Sequence, residues 1–258
     1  MSAPARAEAP APLAEWLMRM GDTALILGHR LSEWCGHAPA LEEDIATANV
    51  ALDLIGQAEA WLAYAGEAEG AGRDADRLAY VRDAHEFRNA LLVERPNGDY
   101  GATVMRQFLF DAWHHPMLAR LAASSDDRVA GIAAKAVKEA AYHLERSADL
   151  VARLGDGTPE SRRRMQAALD ALWPWAGELL VADPITAAMA EAGVAPPPDD
   201  LRPVWEDTVA EVLAEATLTR PEGGFVQRGG FQGRHSEHLG HLLATMQTLP
   251  RSHPDAEW

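Results

Sequence analysis

The sequence is poor in cysteine, aromatic residues and long hydrophobic runs, and each shortage excludes a class of protein. Cys35 is the single cysteine, so no disulfide can form within the chain, which suits a reducing compartment. Only four Tyr and five Phe occur, so strand signals are weak. No apolar run approaches the roughly 20 residues of a membrane span. The formal net charge of -16 opposes binding to nucleic-acid phosphates.

The opening residues, MSAPARAEAPAP, have no hydrophobic core of the kind that a signal peptide needs. Their Pro and Ala content predicts a disordered tail over residues 1–12. Together with the single cysteine and the lack of an apolar span, this composition favours a cytoplasmic protein.

Alanine recurs along the chain and apolar residues repeat at helical spacing, which predicts an all-α fold. Four long helices are predicted at residues 13–34, 41–66, 102–123 and 127–154. The connection over residues 67–101 is helical in composition, so it is predicted to carry short helices. Two helical hairpins joined by one long crossover are typical of the ferritin-like four-helix bundle.

Additional C-terminal helices are predicted after the bundle, at residues 159–182, 201–217 and 235–249. The segment GVAPPPDD is predicted to be a stiff linker. No internal repeat occurs, so we expect one ferritin-like domain over residues 13–258. Its bundle would span about 13–155 and its C-terminal helices about 159–258.

The faces of the first two helices give specific packing predictions. On the first helix, a charged row indicates a solvent or partner face and comprises Arg19, Asp22, Arg30 and Glu33. On the second helix, an apolar stripe predicts the core-facing side and comprises Ile45, Ala48, Leu52, Ile55, Glu59 and Leu62. A polar row beside that stripe predicts buried hydrogen bonds and comprises Asn49, Asp53 and Gln57.

The stretch AVKEAAYHLERSA raises the possibility of metal chemistry, because Glu139 and His143 lie one helical turn apart. A di-iron bundle needs about six ligands, one Glu from each of two helices and a Glu-x-x-His pair from each of the others. The first helix has no carboxylate on its apolar stripe, and Gly56 stands where a His should follow Asp53. The ligand set is therefore about half complete, and we expect no metal site and no catalytic residue in this chain.

Two interpretations of the remaining polar residues stay open. One is a single-ion site made by Asp111, His115, Glu139 and His143. The other is a cluster of hydrogen bonds, in which Asp111 pairs with His115 and the lysines Lys135 and Lys138 supply positive charge.

A second group of imidazoles lies near the C-terminus, at His235, His238 and His241. Steps of three residues turn about 300° around a helix, so these side chains cannot converge on one ion. The preferred interpretation is a helix start at which these imidazoles form hydrogen bonds. This helix start would pack against the segment RPEGGFVQRGGFQGR, which we call the glycine-rich loop.

Four long segments resemble the PaaC family, and together they cover nearly the whole chain. They are LSEWCGHAPALEEDIATANVALDLIGQAEAWLAYAGE, FRNALLVERPNGDYGATVMRQFLFDAWHHPML, AAKAVKEAAYHLERSADLVARLGDGT and GRHSEHLGHLLATMQ. Members of that family form the non-catalytic component of ring 1,2-phenylacetyl-CoA epoxidase, a multicomponent bacterial oxygenase of phenylacetate catabolism.

The resemblance implies a ferritin-like structural subunit that supports a homologous catalytic subunit, and it is the catalytic one that carries the di-iron centre. It implies no cofactor in this chain, no nucleic-acid or membrane partner, and a homodimer within a hetero-oligomer. Two alternatives are an oxidase active on its own through the single-ion site, and a bundle that binds an acyl-CoA through Arg162 to Arg164 or through the loop QRGGFQGR.

Overall fold

The computed structural model describes residues 11–223, 226–254 and 256, so most of the predicted tail lies outside the described residues. The α-helices of the described part are, in chain order, α1 Pro12–Ser32, α2 Leu41–Glu69, α3 Ala75–Tyr80, α4 Leu91–Glu94, α5 Tyr100–Leu121, α6 Asp127–Gly155, α7 Pro159–Ala176, α8 Pro184–Glu191, α9 Pro198–Glu215, α10 Glu237–Met246 and α11 Thr248–Ser252. None of these helices is long and apolar enough to cross a membrane.

Four long helices form the bundle as two hairpins. Helix α1 packs along α2, and α5 packs along α6, while the crossover between α2 and α5 carries the short helices α3 and α4. Helices α2 and α6 run antiparallel, because Asp53 meets His143 whereas the later residue Gln57 meets the earlier Glu139. The predicted all-α, ferritin-like bundle with one long crossover is confirmed.

Side-chain caps fix where the bundle helices begin. Asp99 accepts a hydrogen bond from the Ala102 amide at the start of α5, and Asp126 caps α6 in the same way. Each cap satisfies amide groups that have no partner within the helix. Helix α2 ends at Gly70, which adopts the left-handed conformation that glycine reaches without strain.

Three of the four residues in the charged row of α1 are buried, so the predicted solvent face is wrong for them, while Glu33 is exposed. Arg19, Asp22 and Arg30 are each less than a tenth exposed. Asp22 forms an ion pair with Arg82 of the crossover, and Arg19 Nη2 lies 2.8 Å from Asp183 Oδ2. The crossover and the C-terminal segments cover this face, which the pattern of α1 alone does not reveal.

The apolar stripe predicted for α2 is also wrong in part, because Ile45 and Leu52 are 54% and 65% exposed. The buried face of the helix instead carries Thr47, Val50, Ala51, Leu54, Gln57, Ala58, Trp61, Leu62, Ala65 and Gly66. Trp61 is fully buried and meets Trp16 of α1 edge-on, with ring centroids 6.0 Å apart. Burial of this large ring outweighs the exposure of two aliphatic side chains.

Helices α7 and α9 pack on the second hairpin, whereas α8 packs on α1. Trp205 of α9 donates a hydrogen bond of 3.0 Å from Nε1 to the Leu109 carbonyl of α5. Helix α8 was not predicted, and α9 begins at Pro198 within the predicted linker. Proline suits the first turn of a helix, so this proline-rich segment starts a helix instead of separating two. The division of the domain near residue 155 stays a prediction.

Candidate functional site

A set of polar side chains lies in the centre of the bundle, between α2, α5 and α6. We name it the central polar cluster, and its members are Asp53, Gln57, Gln107, Asp111, Glu139, His143 and Ser147. Bundles of this type build their metal sites from side chains of facing helices in the same way.

Two hydrogen bonds join α2 to α6 across the cluster. Gln57 Nε2 donates to Glu139 Oε2 at 2.9 Å, and His143 Nε2 lies 3.0 Å from Asp53 Oδ2. His143 is almost fully buried, so its pairing with Asp53 satisfies a ring nitrogen that water does not reach. The predicted row of buried hydrogen bonds is confirmed for Gln57, whereas the bonded Asp53 side chain is 36% exposed and Asn49 is exposed.

A second pair of bonds joins α5 to α6. Asp111 is fully buried and accepts hydrogen bonds from Gln107 Nε2 at 2.7 Å and from Ser147 Oγ at 2.8 Å. Burial raises the pKa of Asp111 from 3.8 to about 6, although His143 and these two donors act in the opposite direction. The predicted bond from Asp111 to His115 is therefore replaced by neutral donors.

The four candidate ligands of a single-ion site do not gather around one point. Asp111, Glu139 and His143 each have a different protein partner, and His115 is only half-buried outside these contacts. Within the part of the chain that the structure describes, no three His, Cys, Asp or Glu side chains lie together as a possible metal site.

The donors present also fail to fit a di-iron centre. Such a centre uses four carboxylates and two imidazoles that point at the metals. The central polar cluster has three carboxylates, and each one forms hydrogen bonds with protein side chains. Glu139 is bonded to Gln57, and Asp53 to His143. Asp111 is bonded to Gln107 and Ser147. The predicted contribution of Lys135 and Lys138 is wrong, since both side chains are exposed.

The buried imidazole that the sequence reasoning missed is His114, not His115. Burial lowers the pKa of His114 to about 3, so the ring is neutral. It stacks against Phe110 with centroids 4.6 Å apart. The signal was present in the sequence, because His114 continues the apolar stripe of Phe110, Met117 and Leu121 at steps of four, three and four.

A separate polar network fastens the start of α10 to the crossover. Glu94, which is fully buried, lies 2.9 Å from His235 Nδ1 and accepts a bond of 2.6 Å from the Ser236 amide. The other ring nitrogen, Nε2, lies 3.0 Å from the Phe87 carbonyl. Both nitrogens face acceptors, so each contact is a hydrogen bond when that nitrogen carries its hydrogen. The preference for hydrogen bonds over metal at His235 is in line with this geometry.

Glu178 fastens the glycine-rich loop in a similar way. Its carboxylate accepts hydrogen bonds from the Leu91 amide at 2.9 Å and from the Gly229 amide at 2.7 Å. A Cβ added at Gly230 would lie 2.2 Å from the Asn89 carbonyl, so only glycine fits at this approach. The loop therefore serves packing, and its glycines do not indicate a phosphate site.

Replacing His235 by Ala is expected to lower the free energy of unfolding by about 2 kcal/mol near neutral pH, because the buried Glu94 carboxylate loses a hydrogen-bond partner. Burial acts to raise the pKa of Glu94, but the bonds from His235 and Ser236 outweigh it and lower that pKa. The stabilisation is present above the ordinary Glu pKa and is lost as pH falls through the lowered value. Urea unfolding of the wild type and of His235→Ala at several pH values tests this. The difference between their free energies of unfolding should become smaller in acid.

The exposed His241 on the same helix provides the control. His241→Ala is expected to unfold at the wild-type urea concentration at every pH. An equal loss in both variants would show that the effect comes from α10 in general and not from the contact with Glu94.

Comparison with known proteins gives two matches. The family described as phenylacetic acid catabolic protein matches residues 2–258. A curated relative, the C subunit of 1,2-phenylacetyl-CoA epoxidase from Escherichia coli (strain K12), is 48% identical over 246 residues. That alignment covers 95% of this chain and 99% of the relative.

Proposed function

Because the chain belongs to the phenylacetic acid catabolic protein family, we propose that it is the structural, non-catalytic subunit of a phenylacetyl-CoA 1,2-epoxidase. In this role it scaffolds a homologous subunit that carries a di-iron centre. The name of the relative, which is itself a component of such an epoxidase, supports membership in the complex.

One structural observation supports the non-catalytic role. The carboxylates of the central polar cluster have protein partners, and Asp111 is bonded to an amide and a hydroxyl. Burial raises the pKa of Asp111 to about 6, and its two oxygens are occupied by Gln107 and Ser147 and do not converge with Glu139 and His143 on one point. The cluster therefore maintains the shape of the bundle at the level where a catalytic relative needs metal.

The division of labour follows from this. The di-iron centre of the partner supplies oxygen activation when it is loaded. Residues of this chain supply a rigid helical surface, with Gln57, Asp53, Glu139 and His143 holding α2 against α6. We infer two copies of each subunit in the complex, working in the cytoplasm, where coenzyme A esters are made and consumed.

Reconstitution tests the proposed function directly. We expect the purified chain, expressed with added iron, to hold only traces of iron and to consume no oxygen with phenylacetyl-CoA. Adding it to the di-iron subunit and the reductase should give a complex of defined mass and raise the rate of epoxidation. About two irons per chain in the isolated protein would contradict the proposal.

The alternative of a single-ion oxidase using Asp111, His115, Glu139 and His143 is not favoured by the arrangement of these side chains. His143→Ala separates the two roles. For a structural subunit it lowers thermal stability and leaves the low metal content unchanged, whereas for an oxidase it would abolish both metal binding and oxygen uptake.

A further inference from the structure

A groove of about 460 Å³ opens between α2 and α6, directly outside the central polar cluster. Leu52 and Gly56 line it on the α2 side, and Gly131 and Lys135 line it on the α6 side. Gln57 forms part of its floor. We call this the α2/α6 groove.

Two glycines of the groove have no role within the chain. Gly56 and Gly131 lie inside long helices, where glycine is destabilising by roughly 1 kcal/mol relative to alanine. A Cβ added at either position would meet no atom within 4 Å. Neither glycine is required by backbone conformation or by a neighbour, so the missing side chains leave room for something outside the chain.

Large apolar side chains extend the groove along its two helices. Leu41, Ile45 and Leu52 follow one face of α2 at steps of four and seven residues, and are 72%, 54% and 65% exposed. Tyr142 of α6, half exposed, lies one turn beyond the groove-lining Glu139. Exposed aliphatic and aromatic side chains at helical spacing are typical of a surface that receives a helix.

The polar atoms of the groove call for a positive partner. Gln57 is 4% exposed, and its Oε1 has no hydrogen-bond partner among the described residues. Within the described part of the chain, Asp53 and Glu139 beside it are paired only with His143 and Gln57, respectively. An arginine or lysine side chain entering the groove would satisfy these acceptors.

The charge of α2 selects the kind of occupant. The helix carries seven acidic residues and no Lys or Arg over 29 positions. Three of these acids, Glu43, Glu67 and Glu69, are already paired with arginines of this chain. Packing α2 against its own copy would bring the exposed acids Glu42 and Glu59 of both copies into one interface, which opposes a second copy of this chain at the groove. A helix with basic flanks is complementary, and Lys135 on the α6 rim suits an acidic residue on the far flank of that helix.

We propose that the α2/α6 groove receives an amphipathic helix of the catalytic subunit, whose aliphatic stripe lies against Ile45 and Leu52 and whose basic flank faces α2. This inference rests on the proposed function, and it adds the surface by which this chain binds the catalytic subunit. A basic side chain of that helix reaches Gln57 and Glu139.

Filling the groove tests the proposal without unfolding the chain. In the double variant Gly56→Leu with Gly131→Leu, the melting temperature should equal or exceed that of wild type, because leucine favours helix and the Cβ at either position has no atom within 4 Å. Its Kd for the purified di-iron subunit should rise by at least about tenfold. The control is Gly240→Leu. Gly240 is exposed on α10, and a Cβ added there would also meet no atom within 4 Å. This variant should bind as wild type does.

A charge reversal tests the chemistry of the occupant. Glu59 lies two turns beyond Leu52 on the same exposed face of α2, so Glu59→Lys should weaken binding more at low salt than at high salt. Glu191→Lys on α8 is the matched control and should leave the Kd unchanged. If Glu59→Lys binds the di-iron subunit as tightly as wild type or more tightly, the docked helix does not present a basic flank to α2.

The remaining outcomes separate the inference from the proposed function. Groove variants that join the complex with wild-type affinity overturn the inference alone. Groove variants that turn a dimer of this chain into monomers, yet still bind the catalytic subunit, also overturn it and assign the groove to a second copy. If the wild-type chain itself fails to bind the catalytic subunit, the proposed function and the inference fall together.

Discussion

Asp111→Asn is expected to stabilise the protein by about 3 kcal/mol at pH 7.5. The folded-state pKa of Asp111 is about 6, against 3.8 for the ordinary carboxyl group, and each unit corresponds to about 1.4 kcal/mol. Because the folded value is raised, the favourable contribution of this group is complete below pH 3.8 and is lost as pH rises through about 6. An amide at this position does not ionise and so avoids that loss.

The surroundings of Asp111 can accept the amide. Gln107 Nε2 would still donate to its oxygen, and the new NH₂ group would donate to Ser147 Oγ. The Ser147 hydroxyl has the Leu144 carbonyl within 3.3 Å as an alternative acceptor for its own hydrogen. No buried donor need lose its partner.

Urea unfolding from pH 4 to pH 8 measures this effect. The stability gained by Asp111→Asn should shrink toward zero at the acid end, and the exposed Glu145→Gln on α6 should match wild type throughout. A loss of stability at pH 7.5 would contradict this prediction, because it would mean that the folded protein stabilises the ionised Asp111 carboxylate and does not raise its pKa.

Asp22→Ala is expected to destabilise the protein by about 3–5 kcal/mol, because it leaves Arg82 buried without its anion. The side chains of Asp22 and Arg82 are 0% and 2% exposed. Asp22 Oδ2 also accepts a bond of 2.7 Å from the Arg88 amide, so the same change releases the backbone of the crossover. The melting temperature should fall by several degrees.

A matched pair on the surface gives the control. Asp149 and Arg153 of α6 form an ion pair between side chains that are 57% and 65% exposed. Asp149→Ala should have almost no effect, since exposed pairs contribute little. In a double variant of Asp22→Ala with Arg82→Met, part of the lost stability should return, because no unpaired charge remains buried. Equal effects at the two sites would show that burial of the Asp22 pair is unimportant.

The bundle was predictable because its four long helices each carry their own signals of start, periodicity and end. The boundaries of α2, α5 and α6 were found to within a few residues from the apolar repeats and from turns such as LGDGTP. The incomplete ligand set was also visible, since Gly56 is present in the sequence whatever the fold.

The side on which each helix is buried was less predictable, because it depends on neighbours that are distant in sequence. The charges of α1 find partners at Arg82 and Asp183, which lie 60 and 164 positions further along the chain. Nothing in α1 distinguishes a charge paired in this way from one in water. Likewise, the partner of His143 is Asp53 on α2, although Lys135 and Lys138 are its neighbours in sequence.

The buried charges of α1 also determine its rotation within the protein. A helix surrounded by apolar side chains alone could turn about its axis and still bury them. Arg19, Asp22 and Arg30 instead meet three separate segments, at Asp183, at Arg82 and at the Glu94 carbonyl. A turn of about 100°, the angle of one residue, would separate all three from their partners at once. Each stranded charge would cost several kcal/mol, so misrotated packings of α1 lie far above the native one in energy and the chain has a single register.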